Sequence, residues 1–152
     1  MKKYIKSLFF ALIIGLFLSK LVLKQYDGYN GIKVSGLSDT VYFIQYGVYS
    51  DKNSMEDNTI NLQNYVYNID DGKYYVYVGI TKNNKEKIVD YYRSLGYDTI
   101  VKEFGISNKE FINKLDILDE TLKNTNDITA TSSIINQTLE LYEEVVINGG
   151  KN

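Results

Sequence analysis

Two stretches of the chain, 32 residues apart, follow one pattern: Tyr42-Phe43-Ile44-Gln45-Tyr46-Gly47-Val48 and Tyr74-Tyr75-Val76-Tyr77-Val78-Gly79-Ile80. Both are dense in β-branched and aromatic residues, the composition of a strand. A unit repeated at a fixed offset constrains the fold more than any other feature here. The first stretch stops at Ser50-Asp51, a natural helix cap, and the residues after it place Met55, Thr59, Leu62 and Val66 at helical spacings. Tyr65-Val66-Tyr67-Asn68-Ile69 reads as a second strand, closed by Asp70-Asp71-Gly72, a hairpin turn. After the third strand comes an amphipathic helix with Ile88, Tyr91, Tyr92 and Leu95 on one face and Gly96 as its carboxyl cap. Residues 99–104 supply a fourth strand. The spacing therefore predicts an α+β fold: a ferredoxin-like βαββαβ antiparallel sheet over residues 41–105 with both helices on one face.

Beyond Phe104 the helical signals resume. Ser107 with Glu110 fits a capping box, and Phe111, Leu115, Leu118 and Leu122 form an apolar stripe. A second helix, over about residues 131–147, carries Ile135, Leu139, Tyr142 and Val146, and Gly149-Gly150 ends it. Residues 106–152 read as a C-terminal helical hairpin, too apolar on one side to stand alone. It is expected to buttress the domain or to dock another envelope protein.

The amino-terminal region is of a different kind. Residues 8–18 are an unbroken apolar run, and residues 1–24 hold five lysines and no acid. The span 5–23 would reach about 28 Å as a helix, close to the ~30 Å of a hydrocarbon core. Lys2, Lys3 and Lys6 place the short end in the cytoplasm, and Lys20 can extend to the outer headgroups. Residues 1–24 are expected to be an uncleaved transmembrane anchor in the cytoplasmic membrane, a cleaved secretory signal being the alternative. Residues 25–40, rich in Gly, Ser and Asp, read as a linker to an extracytoplasmic domain.

Composition excludes several kinds of chemistry. The chain has no Cys and no His, so disulfides, Cys/His zinc sites and histidine acid-base catalysis are unavailable. Past residue 24 it carries 12 basic against 19 acidic side chains, a net of −7, which argues against nucleic acid as a partner. Asp70-Asp71 reads as a turn and Glu143-Glu144 as a solvated helix edge, with no partners at metal-ligand spacing. The expectation is a protein with no metal, no cofactor and no catalytic residues, hence not an enzyme.

The motifs have a further consequence. Tyr42-Phe43-Ile44-Gln45-Tyr46-Gly47-Val48-Tyr49-Ser50, Tyr74-Tyr75-Val76-Tyr77-Val78-Gly79 and Leu95-Gly96-Tyr97-Asp98 stand in order and at the right spacing, and together resemble the SPOR domain, a peptidoglycan-binding domain of bacterial envelope proteins. The resemblance covers about sixty residues and neither terminal region. The first helix lacks the family's alanine-rich face, and Tyr75 and Tyr77 stand where basic residues are frequent. The resemblance implies glycan binding on the sheet and places Gln45 in the binding face. Strand alternation puts Ile44, Tyr46 and Val48 with Val76, Val78 and Ile80 under the helices, and Phe43 and Gln45 with Tyr75 and Tyr77 on the other, open face. A glutamine is seldom buried without bonds, which favours that assignment. An amide bonds sugar hydroxyls and N-acetyl groups, and aromatic rings pack on sugar C–H faces.

The leading expectation is therefore a membrane-tethered module that binds glycan strands, stem-peptide-free ones above all, at division or sporulation sites, with Phe43, Gln45, Tyr75 and Tyr77 as ligand-binding residues. The alternative is a protein-interaction module of the same fold that has lost glycan binding, for which that face should be covered. The anchor is checked directly. In cells stripped of wall, a tag after Asn152 should be open to added protease while the amino terminus is retained. A soluble product beginning near Gln25 would contradict it.

Overall fold

The computed structural model describes residues 38–149. The expected anchor, and all of the expected linker before Ser38, lie outside the described residues. Among the described residues no helix is long and apolar enough to cross a membrane.

The element order is β1 (Asp39–Tyr49), α1 (Lys52–Thr59), β2 (Val66–Asp70), β3 (Lys73–Thr81), α2 (Lys85–Ser94), β4 (Ile100–Ile106), α3 (Lys109–Asn124) and α4 (Ile128–Tyr142), the last continuing into a π-helical turn (Glu143–Asn148). The four strands form one antiparallel sheet in the order β2-β3-β1-β4. This is the strand order of two interleaved βαβ halves. The strand β1 starts at Asp39, two residues inside the stretch expected to be linker.

Local chemistry sets the boundaries. The Asp51 carboxylate accepts from the Ser54 amide at 2.9 Å and caps α1. That helix is only eight residues long, so Leu62 falls in a loop and Val66 in β2, and not on one helical stripe. Asp71 and Gly72 both take positive φ, 47° and 71°, which makes the β2–β3 connection a two-residue turn matched to strand twist. Gly96, at φ 86°, lets the Gly96 amide reach the Arg93 carbonyl and the Tyr97 amide reach Tyr92, both at 3.0 Å. The Tyr97 ring then packs against Tyr92, so Leu95-Gly96-Tyr97 is a helix-terminating Schellman motif. The cap of α3 is Asn108 and not Ser107: its side chain accepts from the Phe111 amide at 3.0 Å.

Two register shifts between β1 and β3 decide which side chains share a face. Ile44 faces Gly79 and Gln45 faces Tyr77, which leaves Val78 as an extra residue; Gln45 faces Tyr77 and Gly47 faces Val76, which leaves Tyr46 as another. Ile80, opposite Phe43, and Val48, opposite Tyr75, therefore join the Phe43 face rather than the helix-covered one. Ile44, Tyr46, Val76 and Val78 remain on the side of α1 and α2, where Ile88 and Tyr92 meet Ile44 and Val78 and the Tyr46 hydroxyl donates to the Asn58 carbonyl. Gly79 lies under Ile88 so closely that a Cβ there would stand 2.8 Å from its methyl carbon, which accounts for the second glycine of the repeat.

The hairpin α3–α4 covers the opposite face. Phe111, Ile112, Leu115 and Leu139 pack with Val41, Phe43, Tyr77 and Ile80. Its turn end reaches around to the α2 side, where Leu122, Ile134 and Ile135 pack with Ile44, Ile88 and Tyr92. The dock is polar as well as apolar. Asp119 of α3 is buried, and its carboxylate accepts from the Thr81 hydroxyl and from the amides of Lys82 and Asn83, both at 2.8 Å. The Asn84 side chain donates to the Asp119 carbonyl at 2.9 Å, and Lys87 caps the end of α3 by donating to the carbonyls of Leu122 and Thr125. Lys82 bridges Asp116 of α3 at 2.8 Å and Asp39 of β1 at 3.3 Å. The Asp116 hydrogen bond, joined by that to Asp39, raises the Lys82 pKa against the opposing effect of burial.

These contacts make the hairpin part of the core. Asp119→Ala should lower unfolding free energy by about 3 kcal/mol, because one hydroxyl and two amides lose their shared acceptor. Urea denaturation of the variant checks it, and Asp119→Asn, which keeps one acceptor oxygen, should fall between the two.

Candidate functional site

The four residues singled out in the sequence do come together. Gln45 lies directly opposite Tyr77, which in turn lies opposite Val66, while Phe43 is two residues along β1 and Tyr75 two residues along β3 on the same side. The rings of Phe43 and Tyr77 meet edge to face at 5.3 Å, and Phe104 of β4 meets Phe43 at 4.9 Å. Such T-shaped pairs add to the stabilisation from buried area.

The face they form is not open. Phe43 is 3% exposed, and Gln45 and Tyr77 are each 6% exposed. Tyr75 is half-buried and packs at the margin of the same cluster. The cover is the end of the hairpin. The Tyr142 ring meets Phe43 edge to face at 5.1 Å and Phe111 at 5.6 Å, and Val145 and Val146 of the π-helical turn pack on the cluster beside it. The physical reason is that Phe43, Tyr77, Phe104, Val41 and Ile80 form a continuous apolar patch, and α3 and α4 bring a matching stripe that removes it from water. The expectation of an exposed Phe43-Gln45-Tyr75-Tyr77 surface is corrected accordingly: in this arrangement a glycan strand can touch Tyr75 but not the other three.

Burial alters the polar groups of the face. Loss of hydration, with smaller contributions from the neighbouring Tyr142, Tyr75 and Asp70, pushes the Tyr77 hydroxyl up to about 12, so the ring is uncharged at neutral pH. Tyr142 is raised by the same desolvation. The Gln45 Oε1 is buried with no hydrogen-bond partner, as are Asp70 Oδ1 and Thr99 Oγ1 elsewhere in the domain. Oxygens of this kind are rare in well-packed proteins. The covering residues Phe111, Leu139 and Tyr142 stand in the apolar stripes read from the sequence, where cover of this face by the terminal helices was the alternative to an open one; nothing local said which surface they would meet.

Other clusters are less organised. Lys85, Glu86, Val89, Asp90, Arg93 and Val101 line a shallow depression between α2 and β4, where Arg93 is paired with Asp90. Among the described residues no group of three or more His, Cys, Asp or Glu is placed to hold a metal ion.

Fold and face together define a class: a four-stranded antiparallel α+β domain with an aromatic-and-amide sheet face closed by its own helices. No protein-family model matches the chain, and no curated protein does. Among solved structures, the chain is similar to the peptidoglycan binding domain of the B. subtilis cell wall lytic enzyme CwlC, determined in solution. The likeness covers 45% of this chain and 95% of that one, at 21% identity and a TM-score of 0.36.

The unbonded amide makes a stability prediction. Gln45→Met keeps the shape of the side chain and removes the buried oxygen, so the variant should be more stable than the parent by about 1 kcal/mol. A higher urea midpoint at unchanged m-value is the expected result. A lower midpoint would mean that the amide is bonded in solution.

Proposed function

We propose that the chain is a non-enzymatic, SPOR-like envelope module that binds peptidoglycan glycan strands, held at the cytoplasmic membrane by residues 1–24 with its folded domain outside, and acting at division or sporulation sites. The observation that carries this reading is the convergence of Phe43, Gln45, Tyr75 and Tyr77 on one side of the central strands, with the Gln45 oxygen left without a partner inside the protein. An amide oxygen set among rings is what an N-acetyl N–H and a sugar face require. The three motifs that resemble the family each have a structural role in this fold. The glutamine lies in a central strand, Gly79 lies under α2, and Leu95-Gly96-Tyr97 terminates that helix.

A second reading rests on the burial of the same face. With Phe43, Gln45 and Tyr77 covered, the domain would act as a protein-interaction module whose glycan binding has been lost, its partner docking on the outside of α3 and α4. Purified sacculi distinguish the two. Full-length protein in detergent should co-sediment with sacculi, more strongly after amidase has removed the stem peptides, and Gln45→Met should weaken binding about ten-fold, which is the loss of one hydrogen bond of ~1.4 kcal/mol. Absence of binding to both preparations would favour the interaction module.

A further inference from the structure

We propose that residues 142–148 are a displaceable strap over the face of Phe43 and Tyr77, the strand partner of Gln45, and that they leave it as a unit while the rest of α4 stays docked; this rests on the glycan reading above and concerns how that face is regulated. Three independent features of the fold point to it. The first is the misfit between cover and site. Gln45 is 6% exposed, yet nothing in the cover supplies a donor to its Oε1. A cover that had become a permanent part of the core would be expected to bond this oxygen or to face an apolar residue in its place.

The second feature is a change in backbone at the point where the cover begins. The α-helical hydrogen bonding of α4 runs to Tyr142 and then widens to a π-helical turn over Glu143–Asn148, the rarest of the regular helices and one found disproportionately at functional positions. The join therefore falls at the residue whose ring sits on Phe43.

The third is an abrupt fall in burial at the same join. Thr131, Ile134, Ile135, Thr138 and Leu139 are buried in α4, and Leu139 is wholly so. None of the six residues of the π-helical turn is buried; Val145 and Val146 are half-covered, and Glu143, Glu144, Ile147 and Asn148 are exposed. One long hydrogen bond holds the turn from outside, from Asn108 Nδ2 to the Val145 carbonyl at 3.4 Å, and Lys114 of α3 adds a charge interaction with Glu144. Few side-chain hydrogen bonds are lost when such a segment detaches, and the apolar area uncovered is the Phe43–Tyr77 patch that a ligand would cover in turn, whereas the rest of α4 cannot leave without exposing the centre of the core. Opening would uncover Phe43, Gln45 and Tyr77 and leave Phe111, Leu115 and Leu139 in place. An N-acetylated glycan strand could then take the space vacated by Tyr142 and give Gln45 its missing partner. Ligand and strap would compete for one face, so occupancy by either excludes the other.

Hydrogen exchange on the unmodified full-length protein tests the opening. Amides of residues 145–149 should exchange at least a hundred-fold faster than those of residues 134–139; equal protection overturns the proposal whatever the binding data show. Glycan strands released from amidase-treated sacculi test the competition. Tyr142→Ala, and a chain ending at Leu141, should bind them at least ten-fold more tightly than the full-length protein, and strands at saturation should raise exchange in residues 143–149 further. If all three forms bind equally, the strap does not gate the site and the glycan reading stands. If none binds while the strap exchanges fast, the strap is upheld and the glycan reading fails.

Discussion

A sheet whose two central strands are apolar on both sides has to be covered twice. β1 carries Val41 and Phe43 on one face and Ile44 on the other, and β3 carries Ile80 and Tyr77 against Val76 and Val78. The two βαβ helices cover only one of these faces. Left bare, the other would present a contiguous patch of aromatic and aliphatic surface to water, and the hydrophobic effect acts on it regardless of function. The hairpin α3–α4 answers that demand, and the position of Asp119 fixes where it docks. A buried carboxylate that takes three hydrogen bonds from the β3–α2 loop is strongly directional, so it sets the register of α3 on the sheet as well as contributing to its attachment.

The same requirement creates a conflict at Gln45. A side chain suited to meet a polar ligand sits where folding demands an apolar cover, and the structure resolves the conflict in favour of folding, with one oxygen left unbonded. Leaving a buried acceptor without a partner costs about 1–3 kcal/mol, a sizeable part of the net stability of a domain this size. The cover is least buried where α4 gives way to the turn at Glu143–Asn148, next to the ring that sits on Phe43.

The β1–β3 bulges show how local irregularity governs the outcome. Uninterrupted alternation would put Val48 and Ile80 on the side of α1 and α2. One extra residue in each strand moves both to the Phe43 face, and Ile80 there supplies part of the apolar surface that the hairpin closes over.

Much of this was legible in the chain itself, because it depends on short-range chemistry. Repeated aromatic and β-branched runs specify strands, Asp71-Gly72 specifies the hairpin turn through positive φ, and Leu95-Gly96-Tyr97 specifies the end of α2 through a left-handed glycine. The order of elements and the grouping of Phe43, Gln45, Tyr75 and Tyr77 on one face follow from those signals and from the period of a strand. Three features did not follow. The bulges depend on how two strands fit one another, the Asp119 latch joins residues 38 positions apart, and the burial of Phe43, Gln45 and Tyr77 depends on which surface a distant amphipathic hairpin chooses. An apolar stripe states that a helix must be covered but not by what. Only the assembled sheet, with one apolar face left over, decided that α3 and α4 would close on it.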